Sequence, residues 1–157
     1  VRMPSGREVE REIVEHSSSV VVVPVDAEDN VVLVRQFRLA AGAMLLEAPA
    51  GGLEPGEDPA LCARRELKEE TGYTAESVEG LGGFWMSPGF CTEYMNAFLA
   101  TGLSAGKSAP EPDEDIEVVR VPLSEVPELI RQGRIQDAKS IASLLLVLQG
   151  RRAARRR

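Results

Sequence analysis

The sequence predicts an α/β protein in which a mixed β-sheet is sandwiched between α-helices. Three observations carry this reading: strand-like runs dominate the first half, a sharply bounded helix interrupts them at 59–71, and further strands precede two closing helices. No repeat or linker divides the 157 residues. A single domain over 1–157 is long enough to bury most of its apolar surface without covalent staples.

Strands are predicted at 7–15, 19–25, 31–37 and 44–48, where β-branched and apolar residues cluster. The polar run DAEDN at 26–30 separates two of them and reads as a hairpin loop. The box of residues 59–71 is a helix because Asp58 is an N-cap, Pro59 takes the first helical position and Gly72 supplies the stop. After it come strands at 77–86, 94–100 and 116–121. The stretch 104–115, rich in proline, acid and small residues, is expected to be a mobile loop. Ser124 is expected to cap a helix that stops at Gly133, and Asp137 to cap a last helix whose SIASLLLVLQ run ends at Gly150. The opening residues 1–17 look like a hairpin entered midway, so a preceding segment is expected as well.

The formal charge is −7 although the basic tail at 150–157 carries five arginines, so the body of the chain is more acidic still. Such a surface repels nucleic acid and anionic lipid, and the expected partner is a small molecule. The tail itself reads as a solvated terminus. Cys62 and Cys91 form no C-x-x-C pair and no signal peptide or long apolar run is present, which points to a reducing cytoplasm. A cysteine nucleophile lacks a partner: His16 is the one histidine, and it reads as a polar residue at a strand end. Cys62 reads as a packing residue.

The informative segment is GGLEPGEDPALCARRELKEETGY at 51–73. It gathers Glu57, Arg65, Glu66, Glu69 and Glu70 around one helix, with Glu66 and Glu70 a full turn apart on one face. Like charges so placed cost roughly 0.2 to 0.5 kcal/mol per pair. A solvated face tolerates that, but Ala60, Ala63 and Leu67 lay an apolar stripe beside the acids, so the carboxylates flank a buried edge. A hard divalent cation held by carboxylate oxygens offsets the repulsion. It also lets an acidic protein accept an anionic ligand. Arg65 stands where it can orient a carboxylate through a charge-assisted bond.

The pattern G-x5-E-x7-R-E-U-x-E-E-x-G-U, with U apolar, is the signature of the Nudix hydrolases, and the segment resembles it at Gly51, Glu57, Arg65, Glu66, Leu67, Glu69, Glu70 and Gly72, with Tyr73 in the last apolar place. The resemblance implies the Nudix alpha/beta/alpha sandwich and hydrolysis of a nucleoside diphosphate derivative, with Mg2+ or Mn2+ on the box carboxylates. SPGFCTE, with Pro88 sixteen residues after Gly72, looks like the marker of the ADP-ribose pyrophosphatase subfamily; VRQFR at 34–38, LEAPAGGLEPGE at 46–57 and GRIQDAKSIASLLL in the tail are similar to it too.

Roles follow from that resemblance position by position. Glu66, Glu69 and Glu70, with the carbonyl of Ala50, are implied metal ligands for about two to three ions. Glu93 matches the loop carboxylate that takes a proton from the attacking water, and Glu69 and Arg65 complete the catalytic set. Gly51, Glu57 and Gly72 are structural. Arg35 and Arg38 are candidates for the diphosphate or terminal ribose, or else form strand ion pairs; Glu47 is a candidate for a sugar or adenine contact, and Pro88, Gly89 and Phe90 line the substrate site. The implied reaction converts ADP-ribose to AMP and ribose 5-phosphate by a metal-activated water. Relatives exchange an N-terminal region between subunits, so a homodimer built through 1–17 is expected.

Two other readings stay open. Another nucleoside diphosphate derivative, such as a nucleotide sugar, NADH or an oxidised nucleotide, could be the substrate of the same pyrophosphatase chemistry. A non-catalytic nucleotide sensor is the reading outside the enzymes, and the retention of Glu66, Glu69, Glu70 and Glu93 together argues against it.

Overall fold

The computed structural model describes residues 1–106 and 115–154. Most of the expected loop at 104–115 and the end of the basic tail lie outside these residues. The strands are β1 (Ser19–Pro24), β2 (Asn30–Arg38), β3 (Ala43–Glu47), β4 (Ala50–Gly52), β5 (Tyr73–Trp85), β6 (Tyr94–Ala105) and β7 (Glu117–Pro122). The helices are α1 (Pro59–Thr71), α2 (Val126–Arg131) and α3 (Ala138–Ala154), with a 3-10 turn at Leu123–Glu125. No described helix is long and apolar enough to cross a membrane.

The α/β class is as expected, but the strands divide into two sheets. One is four-stranded and mixed, in the order β4-β1-β6-β5, and the other is three-stranded and antiparallel, β3-β2-β7. β1 runs parallel to β6 and antiparallel to β4. Its SVVVVP sequence is apolar at every position except its first, because both faces are covered. Val21 and Val23 point into a core shared with Leu33, Leu46, Met95 and Leu144. Val20 and Val22 point the other way, onto Cys62, Ala63 and Leu67 of α1. The alternation of one strand thus builds the layered sandwich, with α1 on one side and the second sheet plus α3 on the other.

Three expectations need correction. Residues 7–15 form no strand: an isolated bridge pairs Arg2 with Glu8 and another pairs Val14 with Cys91. The charges of REVEREIVE leave neither face of a strand apolar enough to bury. Ser124 does not cap α2, since it lies inside the 3-10 turn and the cap position is Glu125, without a side-chain bond; the buried Leu123 draws the chain into that tighter turn. α3 continues through Gly150 to Ala154, because the following arginines and alanines are strong helix formers and outweigh about 1 kcal/mol for one glycine. The three-residue β4 was not foreseen. It is too short to show a pattern, yet it is the strand that meets the acids of α1.

Candidate active site

α1 starts and stops where its local chemistry directs. The Asp58 carboxylate accepts from the N–H groups of Ala60 at 2.9 Å and Leu61 at 3.2 Å. Gly72, at φ +75°, closes the helix in the left-handed conformation and returns its N–H to Lys68 O at 2.9 Å. Between these ends Glu66 and Glu70 face β4 and are only 9% and 3% exposed.

The backbone of β4 is shaped around them. A Cβ on Gly51 would overlap the Glu66 carboxylate, so no other residue fits there without moving that side chain. Ala50 N–H donates to Glu70 Oε2 at 3.2 Å. The ladder bonds of the β1/β4 pair run from Val22 N–H to Pro49 O and from Leu53 N–H to Ser18 O. Ala50 therefore sits at the alternate position, with both its N–H and its C=O turned away from β1 toward the acids. Glu66 and Glu70 thus bring two carboxylates against the backbone of β4, with the Ala50 carbonyl on the same side of the strand.

Arg65 organises the exposed flank of the same helix. Its guanidinium grips Glu57 through two bonds of 3.0 Å and reaches Glu66 at 2.7 Å and Glu69 at 3.0 Å. The bond from Arg65, helped by the Glu54 N–H, lowers the Glu57 carboxyl to about 2. Arg65 itself is raised, first by that bond to Glu57. Glu57 thus ties the loop before α1 to the helix. Burial and the neighbouring Glu57 push the Cys62 thiol up to about 12, which removes it as a nucleophile. Glu69 is the most open of these acids, and with Arg64, Arg65, Lys68, Thr74 and Ala75 it borders a concavity of about 530 Å³ along α1. That space is the larger one, but Ala50, Glu93 and Arg38 belong to another.

The second cavity, about 310 Å³, has Ala50, Gly51 and Gly52 as one wall. Glu93 forms another, together with His16, Ser19, Met86 and Met95; Arg38, Asp137 and Lys139 complete it. Glu93 is held by Ser19 Oγ, which donates to its Oε1 at 2.9 Å, and His16 Nδ1 lies 3.9 Å from the same oxygen. Pro88, Gly89 and Phe90 are exposed on the turn that leads to Glu93, where Phe90 N–H and Cys91 N–H both return to Ser87 O.

Arg38, itself partly exposed, reaches the cavity through an ionic chain centred on the buried Glu47. It donates to both oxygens of Glu47, at 2.9 and 2.8 Å, and Lys139 donates to Glu47 Oε2 and, at 2.9 Å, to Asp137 Oδ2. Asp137 also caps α3 by accepting from Ser140 N–H at 3.0 Å and from Ser140 Oγ, while Ala48 N–H donates to Ser140 Oγ at 2.7 Å. Burial raises the Glu47 carboxyl, but the bonds from Arg38 and Lys139 outweigh it and leave the group below its ordinary value. Arg38 is raised in turn, chiefly by Glu47.

Two expected substrate contacts lie in ion pairs instead of in the open cavity. Glu47 is 1% exposed and its carboxylate is engaged by Arg38 and Lys139, whose head groups it orients. Arg35 lies three residues from Arg38 on β2, hence on the opposite face, and pairs with Glu117 of β7 at 2.9 Å. Asp137, Lys139, Ser19 and His16 had not been foreseen as cavity residues. Asp137 was legible as a helix cap, whereas Ser19 carries no local signal because its partner is 74 residues away.

Among the described residues no three acidic, histidine or cysteine side chains form a ready metal cage. Two carboxylates and a carbonyl nevertheless suit a hard divalent cation, which takes oxygen ligands and can complete its shell with water.

The NUDIX domain family model matches residues 15–144. The chain is 40% identical over 146 residues to the methanol dehydrogenase activator of Bacillus methanolicus, covering 92% of this chain and 79% of that protein. It is 42% identical over 142 residues to the ADP-ribose pyrophosphatase of Bacillus subtilis (strain 168), covering 89% and 77%. A solved structure described as an ADP compounds hydrolase superimposes with a TM-score of 0.86 at 26% identity, covering 98% of this chain and 83% of its own.

Proposed function

The chain belongs to the Nudix family of hydrolases, and on that premise we propose that it hydrolyses the diphosphate bond of ADP-ribose, yielding AMP and ribose 5-phosphate in the presence of Mg2+, with Mn2+ as a substitute. The observation that carries this reading is the meeting of two buried carboxylates, Glu66 and Glu70, with the backbone of β4, whose residues Ala50 and Gly51 also line the cavity that Glu93 enters. The names of two relatives, an ADP-ribose pyrophosphatase and an ADP compounds hydrolase, support the choice of substrate.

Bound by Glu66, Glu70 and the Ala50 carbonyl, Mg2+ would supply positive charge against the diphosphate and make water a better nucleophile. Glu93 accepts the proton of that water. Its place on a loop, outside α1, keeps it apart from the cation ligands. Arg38 and Lys139 line the same space, each already paired with a carboxylate, and an anionic diphosphate there would meet their remaining N–H groups. Arg65 holds Glu66 in position, and Glu69, the more exposed acid, would add a further carboxylate to the cation site. Pro88, Gly89 and Phe90 are exposed on the turn before Glu93, where a bound substrate could reach them.

A second reading within the family follows from the cavity itself. Its named polar groups suit a diphosphate, and no pair of them is set up to read a purine edge, so a nucleotide sugar or NADH competes with ADP-ribose. We place the enzyme in the cytoplasm as a homodimer that uses residues 1–17 at its interface. Incubation of ADP-ribose, a nucleotide sugar and NADH with the protein, with and without Mg2+, separates these readings by the rate of nucleoside monophosphate release. Faster turnover of another member of the panel would overturn the substrate and keep the chemistry.

A further inference from the structure

The segment leading into β1 grips the loop that carries Glu93. Val14 N–H donates to Phe90 O at 2.7 Å, and Val14 O accepts from Thr92 N–H at 3.0 Å. Two residues later the Thr92 hydroxyl accepts from His16 N–H at 2.8 Å and donates to His16 O at 3.0 Å. This reciprocal pair holds 14–16 against 90–92 although neither stretch belongs to a strand of the sheet.

The grip ends on the carboxylate itself, at Ser19 Oγ. Ser19 is 3% exposed and opens β1, where the register sets it beside Gly52 of β4 on one side and Met95 of β6 on the other. Its carbonyl accepts from Asn96 Nδ2 at 3.2 Å. The hydroxyl is thus fixed to the most enclosed strand of the fold, while Glu93 stands at the end of an exposed loop. A glutamate has three side-chain torsions, and a loop glutamate without a partner spreads over several rotamers. A donor on a rigid strand selects one of them, and misplacement of a reacting group by about 1 Å reduces rate by about a hundredfold.

The geometry points to Ser19 as the positioning residue of the Glu93 base: its hydroxyl occupies Oε1 and leaves Oε2 to receive the proton of the attacking water. This rests on the role given to Glu93 above. Ser19 lines the same cavity, and its role in the reaction is exerted through Glu93, to which its hydroxyl is committed.

The test is a double-mutant cycle on kcat and KM with ADP-ribose and Mg2+. Ser19→Ala lowers kcat by about tenfold, as expected for loss of one hydrogen bond to a charged group, and leaves KM in place. Added to Glu93→Gln, the same substitution changes the residual rate no further, because the group it positions is already gone. A wild-type kcat in Ser19→Ala beside an impaired Glu93→Gln would overturn the inference and leave the proposed function standing. Independent losses that multiply in the double variant would overturn it too, since they assign Ser19 a structural role. A wild-type rate in Glu93→Gln would overturn both.

Discussion

The Glu66 carboxylate lies where a side chain on Gly51 would begin. One residue of the shortest strand therefore sets the position of a buried acid on the helix that faces it. Gly51→Ala is expected to displace Glu66 and weaken both cation affinity and activity by about ten- to a hundredfold, as losing the support of a metal ligand does. A Mg2+ titration of activity checks this. An unchanged half-saturating Mg2+ concentration would remove Gly51 from the account.

Glu57 and Arg65 predict a particular acid sensitivity. Arg65 holds the Glu57 carboxyl at about 2, against an ordinary value of 4.5. A carboxyl lowered in the folded state contributes stability that is complete above pH 4.5 and is lost as pH falls toward 2. Glu57→Gln removes that contribution, so its melting temperature declines less steeply through this window than that of the wild type. Parallel melting curves from pH 5 to 2 compare the two.

Lys139→Met leaves Glu47 buried with Arg38 as its remaining cationic partner among the described residues. Breaking a buried pair from one side is strongly unfavourable, and a loss of about 3 kcal/mol is expected in urea unfolding. A loss below about 1 kcal/mol would show that Lys139 is held there for the cavity alone and contributes little to the fold.

Cys62 is fully buried and its thiol is pushed up to about 12. It is expected to resist a disulfide-exchange reagent at pH 8 in the native protein and to react once urea unfolds the chain. Rapid labelling of Cys62 in the native state, read by peptide mass, would contradict its burial.

How much of this was legible depends on the range of each interaction. The ends of α1 were readable because Asp58, Pro59 and Gly72 act within one turn of themselves, and the carboxylate spacing was readable because a helix fixes it. The strand expected at 7–15 failed because residues with no apolar face take their conformation from whatever loop they meet, here the one at 87–92. β4 was too short to announce itself. The meeting of Arg38 with Lys139 through Glu47 spans three elements, so neither the ionic wall of the cavity nor the burial of Glu47 could be read from any local pattern. Arg35 and Arg38 looked equivalent in VRQFR until strand parity placed them on opposite faces.

The central claim is that Glu66 and Glu70, set against Ala50 and Gly51, hold the cation for diphosphate hydrolysis. Chromatography of ADP-ribose after incubation with wild-type and Glu70→Gln protein tests it most directly. The account predicts AMP and ribose 5-phosphate from the wild type with Mg2+, none after chelation, and none from a Glu70→Gln variant that melts as a folded protein. AMP release that survives chelation, or that persists at the wild-type rate in Glu70→Gln, would contradict it.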